Sequence, residues 1–160
     1  MVRYNTIKYN DVANGDGVGI SIYFQGCPFH CPGCFNQETW DFNGGKEWTE
    51  EVEKEVLNKI NTNGILRHLS ILGGEPLIER NIQAIYQLCS KAKLMYPNIK
   101  IYLWTGHTMD ELQERINKEF LLQSLVFECI DTLITGRYEE DKRDITLPLR
   151  GSWNQEIWKF

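Results

Sequence analysis

A chain of 160 residues suits one compact domain, residues 1–160, built around a single sizeable core. Its 17 Lys and Arg against 22 Asp and Glu give a net charge of −5, which argues against a chain made to grip a nucleic-acid backbone and lends no support to membrane-surface binding. At 42% apolar and 24% charged residues, with no biased tract, the composition is that of a folded protein rather than a disordered one.

The opening residues Met1–Tyr9 are polar and alternating, without an apolar run of the signal-peptide type, and no later segment is apolar for long enough to span a bilayer. The expected location is therefore the cytoplasm. A short strand is predicted near Tyr4–Tyr9, followed by the loop Asn14-Gly15-Asp16-Gly17. A clearer strand follows at Gly19–Gln25, where Ile20, Ile22 and Phe24 alternate with Ser21 and Tyr23. It runs into a loop rich in cysteine.

Thr49 is the predicted N-cap of a helix whose first turn carries Glu50, Glu51 and Glu53, suited to the positive end of the helix dipole. Val52, Val56, Leu57 and Ile60 share a face, and Asn63-Gly64 is expected to end the helix. Leu66–Leu72 reads as a buried strand leading into Gly73-Gly74-Glu75-Pro76. The next helix places Ile82, Ile85, Cys89, Ala92 and Met95 on one side. A strand at Asn98–Trp104 then ends in Thr105-Gly106, and Thr108 to Glu111 has the spacing of a capping box. The last predicted strand is Ile130–Thr135.

Strands alternating with helices predict an α/β fold with a mostly parallel sheet and helices on its outer face. The chain is too short for a full eight-unit barrel, which needs ~200 residues or more, so the expected architecture is a partial, open barrel. The cysteine loop, the Gly-Gly-Glu-Pro turn and Thr105-Gly106 each follow a strand. That is the edge where parallel sheets place ligands, so these distant motifs can share one site.

Of the five cysteines, three fall within eight residues, Cys27-Pro28-Phe29-His30-Cys31-Pro32-Gly33-Cys34. An odd number, clustered and without an export signal, points to metal or redox chemistry rather than to disulfides. Prolines and glycine bend the loop so that three thiolates can converge on one centre. Cubic iron–sulfur clusters normally take four cysteines, so three leave one iron open to a reactant. Zinc, with His30 as a fourth ligand, is the competing reading, and a zinc-stabilised binding module without catalysis is the alternative from a different functional class. Cys89 and Cys129 read as core residues.

The Cys-x3-Cys-x2-Cys loop after an early strand, with Gly73-Gly74-Glu75-Pro76 after the next, resembles the radical S-adenosylmethionine enzymes. The chain is more closely similar to the anaerobic ribonucleoside-triphosphate reductase-activating proteins. Asn14–Gly17, Cys31-Pro32-Gly33-Cys34-Phe35-Asn36, Thr39-Trp40, Trp104-Thr105-Gly106 and the tail Arg150–Gln155 carry that likeness. The resemblance implies Cys27, Cys31 and Cys34 as ligands of a [4Fe-4S] cluster, with S-adenosyl-L-methionine bound by Gly73, Gly74, Glu75, Pro76 and Thr105. It implies a protein substrate, the large subunit of the anaerobic reductase, on which a glycyl radical is made. Asn14, Asp16, Arg150 and Asn154 are the expected partner contacts, and a flavodoxin-like protein the electron donor. A pyruvate formate-lyase-type activase is the nearest alternative. Monomer, homodimer and reductase-bound subunit all stay open. The chain departs from its relatives in Asp16, where proline is usual, in His107, where tyrosine is common, and in Gly136-Arg137-Tyr138, where an Asp-Gly-Lys-type segment is usual.

Overall fold

The computed structural model describes residues 1–160. Nine strands, β1 (Arg3–Asp11), β2 (Gly19–Phe24), β3 (Lys46–Glu47), β4 (Asn61–Thr62), β5 (Ile65–Leu66), β6 (His68–Gly73), β7 (Ile101–Thr105), β8 (Thr132–Thr135) and β9 (Glu156–Lys159), alternate with helices. The helices are α1 (Glu50–Lys59), α2 (Glu79–Met95), α3 (Met109–Ile116) and α4 (Phe120–Ser124), the last continued by a π-helical turn at Leu125–Cys129. Seven strands form one sheet in the order β3-β1-β2-β6-β7-β8-β9. Its four central strands, β2, β6, β7 and β8, are parallel, whereas the edge pairings β1 with β2, β3 with β1 and β9 with β8 are antiparallel. The fold is therefore mixed α/β, with helical crossovers between the parallel strands.

One face of the sheet meets the helices. Ile20, Ile22 and Phe24 of β2, Leu69 and Ile71 of β6, Ile101 and Leu103 of β7 and Leu133 of β8 join Val56, Ile85, Leu88, Cys89 and Leu112 in a core of 25 buried residues. Each fully buried Leu or Ile contributes about 1.5–3 kcal/mol. The other face is more polar. The paired positions Ser21, Ser70, Tyr102, Thr132 and Lys159 form one row across five strands. All six residues of β2 are buried, Ser21 and Tyr23 included. The loop after β1 covers them: Ser21 Oγ donates to Asp11 at 2.5 Å, and Asn14 Nδ2 donates to Tyr23 at 3.2 Å.

Local signals set most helix ends. Thr49 accepts a hydrogen bond from the Val52 N–H, and Thr108 and Glu111 complete the expected capping box. Asn63-Gly64 does not end α1. Both residues have positive φ, 56° and 72°, and form the two-residue turn of the β4–β5 hairpin. The core strand expected from Leu66 starts at His68, because Leu66 belongs to that hairpin. Met95 lies off the buried face of α2 and is 47% exposed. The antiparallel strand β9 is an addition that four residues, Glu156-Ile157-Trp158-Lys159, are too short to announce. No helix is long and apolar enough to cross a membrane.

Candidate metal centre

The loops that leave β2, β6, β7 and β8 meet around a cavity of about 380 Å³ at the C-terminal edge of the parallel strands. Cys27, Cys31 and Cys34 line it together with Gly73, Gly74, Glu75, Thr105, Asn14 and Arg150. Sequence positions more than 130 residues apart thus share one wall, as the strand-end rule predicts.

The cysteine loop is pinned at its base. The N–H of Gly26 donates to Thr39 O at 2.7 Å and that of Cys27 to Trp40 O at 3.2 Å, so the chain returns to its starting point after one circuit. Gly26 (φ 99°) and Gly33 (φ 77°) take left-handed conformations that turn the loop inward, and a tight turn brings Cys34 N within 3.1 Å of Cys31 O. Cys27 is buried; Cys31 and Cys34 are partly exposed. Burial pushes the Cys27 and Cys31 thiols up, while backbone N–H groups of Phe29 and His30 at Cys27, and of Tyr138 at Cys31, pull the other way. The Asn36 N–H donates to Cys34 Sγ at 3.4 Å. A bound metal converts such thiols to thiolates, and these N–H groups are already aimed at them.

Gly73 and Gly74 are required by the approach of two loops. A Cβ on Gly73 (φ 119°) would overlap the Phe24 backbone, and one on Gly74 would lie 2.5 Å from Gly26 O. The N–H groups of Gly74 and Glu75 donate to Phe24 O and Gly26 O at 2.9 and 2.8 Å. Glu75 is fully buried. Its Oε1 accepts from Thr105 Oγ1 at 2.7 Å and Leu77 N at 2.9 Å, and its Oε2 from Gly106 N at 2.6 Å. Burial pushes this carboxyl above its usual range, against the opposing effect of those three donors. Glu75 thus ties the turn after β6 to the turn after β7. Thr105 reaches the cavity, but its hydroxyl already donates to Glu75 and accepts from His107 N at 3.1 Å. Pro76 is buried beneath the turn, outside the lining.

The expected partner contacts divide. Asn14 and Arg150 line the cavity. Asn154 instead donates to Arg137 O at 2.7 Å, holding the wall from behind. Asp16 is exposed and borders a different cleft, its N–H donating to Tyr102. Sequence reasoning missed Phe29, Arg137, Tyr138 and Leu149 as wall residues. Gly136-Arg137-Tyr138 follows β8, so the strand-end rule extended by one strand would have found it. Leu149 carried no such signal. Its carbonyl accepts from Trp104 Nε1 at 2.6 Å, a contact across 45 residues.

The donor set fits a polynuclear cluster. Tetrahedral zinc, with Zn–S of about 2.3 Å, would draw its thiolates within about 4 Å of one another. His30 is exposed and stacks on Trp40 at 4.4 Å, outside the cavity lining. Three cysteines on one cavity wall match three of the four ligands that a cubic iron–sulfur cluster normally takes. Cys89 and Cys129 lie in the core, the Cys129 thiol pushed up to about 11 by burial, and neither lines the cavity.

A family model described as a 4Fe-4S single cluster domain matches residues 13–158. The chain is 35% identical to an anaerobic ribonucleoside-triphosphate reductase-activating protein of Pasteurella multocida over 98% of both chains. It is 35% identical to that of Vibrio cholerae, covering 99% of each, and 34% identical to that of Escherichia coli K12, covering 98% of this chain and 97% of the relative.

Proposed function

The chain belongs to the anaerobic ribonucleoside-triphosphate reductase-activating proteins, a family with a 4Fe-4S single cluster domain, and from that premise we propose that it is a cytosolic radical S-adenosylmethionine activase. Its protein substrate is the large subunit of the anaerobic reductase, on which it generates a glycyl radical. The observation that carries this reading is the shared wall of Cys27, Cys31, Cys34, Gly73 and Gly74 around one cavity. The same reading takes the sheet as part of an open barrel with this cavity on its inner side.

Cys27, Cys31 and Cys34 would hold the [4Fe-4S] cluster and leave one iron open. Bound there, the cluster would supply one-electron reductive cleavage of S-adenosylmethionine, the chemistry that ends in loss of a hydrogen atom from a glycine of the partner. The rest falls to the chain. Gly73 and Gly74 let the turn after β6 close on Phe24 and Gly26, which forms the wall that S-adenosylmethionine would lie against. Glu75 holds the two turns at fixed separation through Thr105 and Gly106. Phe29, Trp104 and Leu149 wall the cavity with apolar surface, which excludes water from a reactive radical. A flavodoxin-like protein is the proposed electron donor.

Anaerobic reconstitution tests the reading. The expected result is bound iron, an S-adenosylmethionine-dependent spin-resonance signal, 5′-deoxyadenosine, and a glycyl radical on the reductase. Cys31→Ala should lose all activity. Normal turnover by that variant, or a colourless protein holding one zinc, would sink the proposal.

A further inference from the structure

Arginines lie on aromatic rings around the cysteine cavity. Arg137 sits 4.2 Å from the ring centre of Phe29, Arg143 5.1 Å from that of Phe35, and Arg150 5.8 Å from that of Trp153. Phe29 and Phe35 belong to the cysteine loop, and the arginines to the segment between β8 and β9, so two of these pairs bridge opposite walls. Phe35 and Trp153 nevertheless keep 61% of their surface exposed. Large rings left in water beside a cavity mark an interaction surface, and Trp with Arg is the composition of interface anchors. The stacking also holds these side chains in place before a partner arrives, which lowers the ordering cost of association. Arg137 Nη1 donates to Glu111 Oε1 at 3.0 Å and Arg143 Nη1 lies 4.0 Å from Glu140 Oε1, so each guanidinium spends one edge within the chain and keeps its remaining N–H groups for other acceptors. Arg150 donates to Gln155 O at 2.8 Å, while its Nε is buried without a partner.

We infer that this arginine–aromatic rim is the surface on which the protein substrate docks, the partner presenting apolar side chains flanked by carboxylate or carbonyl oxygens. The inference rests on the activase reading, because that reading requires a polypeptide backbone to enter the cavity. Any such segment must cross the rim. A second set of exposed rings, Phe120 (75%), Phe127 (52%) and Phe160 (54%), lies away from it, and none of the three lines the cysteine cavity.

The test measures affinity for the anaerobic reductase large subunit, under anaerobic conditions, with cluster-loaded wild type, Trp153→Ala, Arg143→Glu and Phe127→Ala. Trp153 and Arg143 stand outside the cavity lining, and iron content and cluster absorbance check each variant's integrity. Trp153→Ala and Arg143→Glu should each weaken binding about tenfold or more, with Phe127→Ala unchanged. Two variants on different stretches keep the test open should one fold poorly. Unaltered affinity in both, or a loss confined to Phe127→Ala, overturns the rim. So does a self-association of the wild type that Trp153→Ala abolishes, which assigns the rim to a second copy. A cluster-loaded wild type that does not bind the reductase at all overturns the activase reading itself.

Discussion

Two carboxylates of this chain look alike in the sequence and behave in opposite ways. Glu75 is fully buried and accepts from Thr105, Leu77 and Gly106, so both oxygens serve donors from three different positions. In Glu75→Gln one amide edge must face an N–H or O–H donor. That leaves a buried donor unpaired at a cost of about 1–3 kcal/mol. Denaturant unfolding should show the loss, and S-adenosylmethionine affinity should fall with it, because the two turns lose their fixed spacing. Asp11 is more accessible. Burial raises its carboxyl, but hydrogen bonds from Ser21, Ala13 and Asn14 outweigh this and hold it below its ordinary value. A depressed value means that the ionised form favours the fold, in full above about pH 4, and that this stabilisation is lost as pH falls through the lower folded value. Amide exchange of the 12–17 loop should therefore quicken below about pH 4 in the wild type, and Asp11→Asn should remove that acid-dependent step. The convergence of the three cysteines on one cavity was legible at this scale because all three fall within eight residues. The partners of Glu75 were not, since Gly106 lies 31 positions away and nothing in either segment names the other.

Capped and periodic elements were readable from the chain. Thr49 and Thr108 start α1 and α3 as expected, since a cap is decided within four residues. Asn63-Gly64 suits a helix stop and a hairpin turn equally. The short strands β4 and β5, two residues each, tipped it to the hairpin without leaving a periodic pattern. The stretch between the single 3-10 turn at Glu140–Lys142 and β9 was illegible for a different reason: it has no regular structure. Arg143 bridges Ser152 across its base, and Trp104 Nε1 holds the Leu149 carbonyl at its far end. Leu149 itself has φ 60°, which costs a non-glycine residue free energy and persists only under such restraint. Trp104→Phe keeps the ring in the wall and deletes the hydrogen bond. Residues 144–151 should then gain amide exchange by about fivefold, the equivalent of roughly 1 kcal/mol, with little change at the core strands. Equal protection in the variant and the wild type would show that the base of the loop, not Trp104, fixes it.

At the scale of the whole molecule, the antiparallel return of β9 ties the site to the fold. Trp158 pairs with Leu133 in the register, donates from Nε1 to Thr135 Oγ1 at 3.0 Å, and packs on the core. Directly before it, Gln155 accepts from the backbones of Gly151 and Ser152 and donates to Gly136 O at 3.0 Å. The strand therefore covers the edge of β8 and at the same time holds the wall that carries Arg150. An uncovered β8 would present unpaired N–H and C=O groups, the usual template for edge-to-edge association. Deleting residues 156–160 should convert a well-behaved protein into one that elutes in larger species on size exclusion. Trp158→Ala tests the packing separately. It should keep most strand hydrogen bonds, lower stability by roughly 2 kcal/mol for a half-buried ring, and reduce iron retention after anaerobic reconstitution. Loss of stability with full iron retention would mean that the cysteine loop, closed on itself through Gly26 and Thr39, holds the cluster without support from the C-terminal wall.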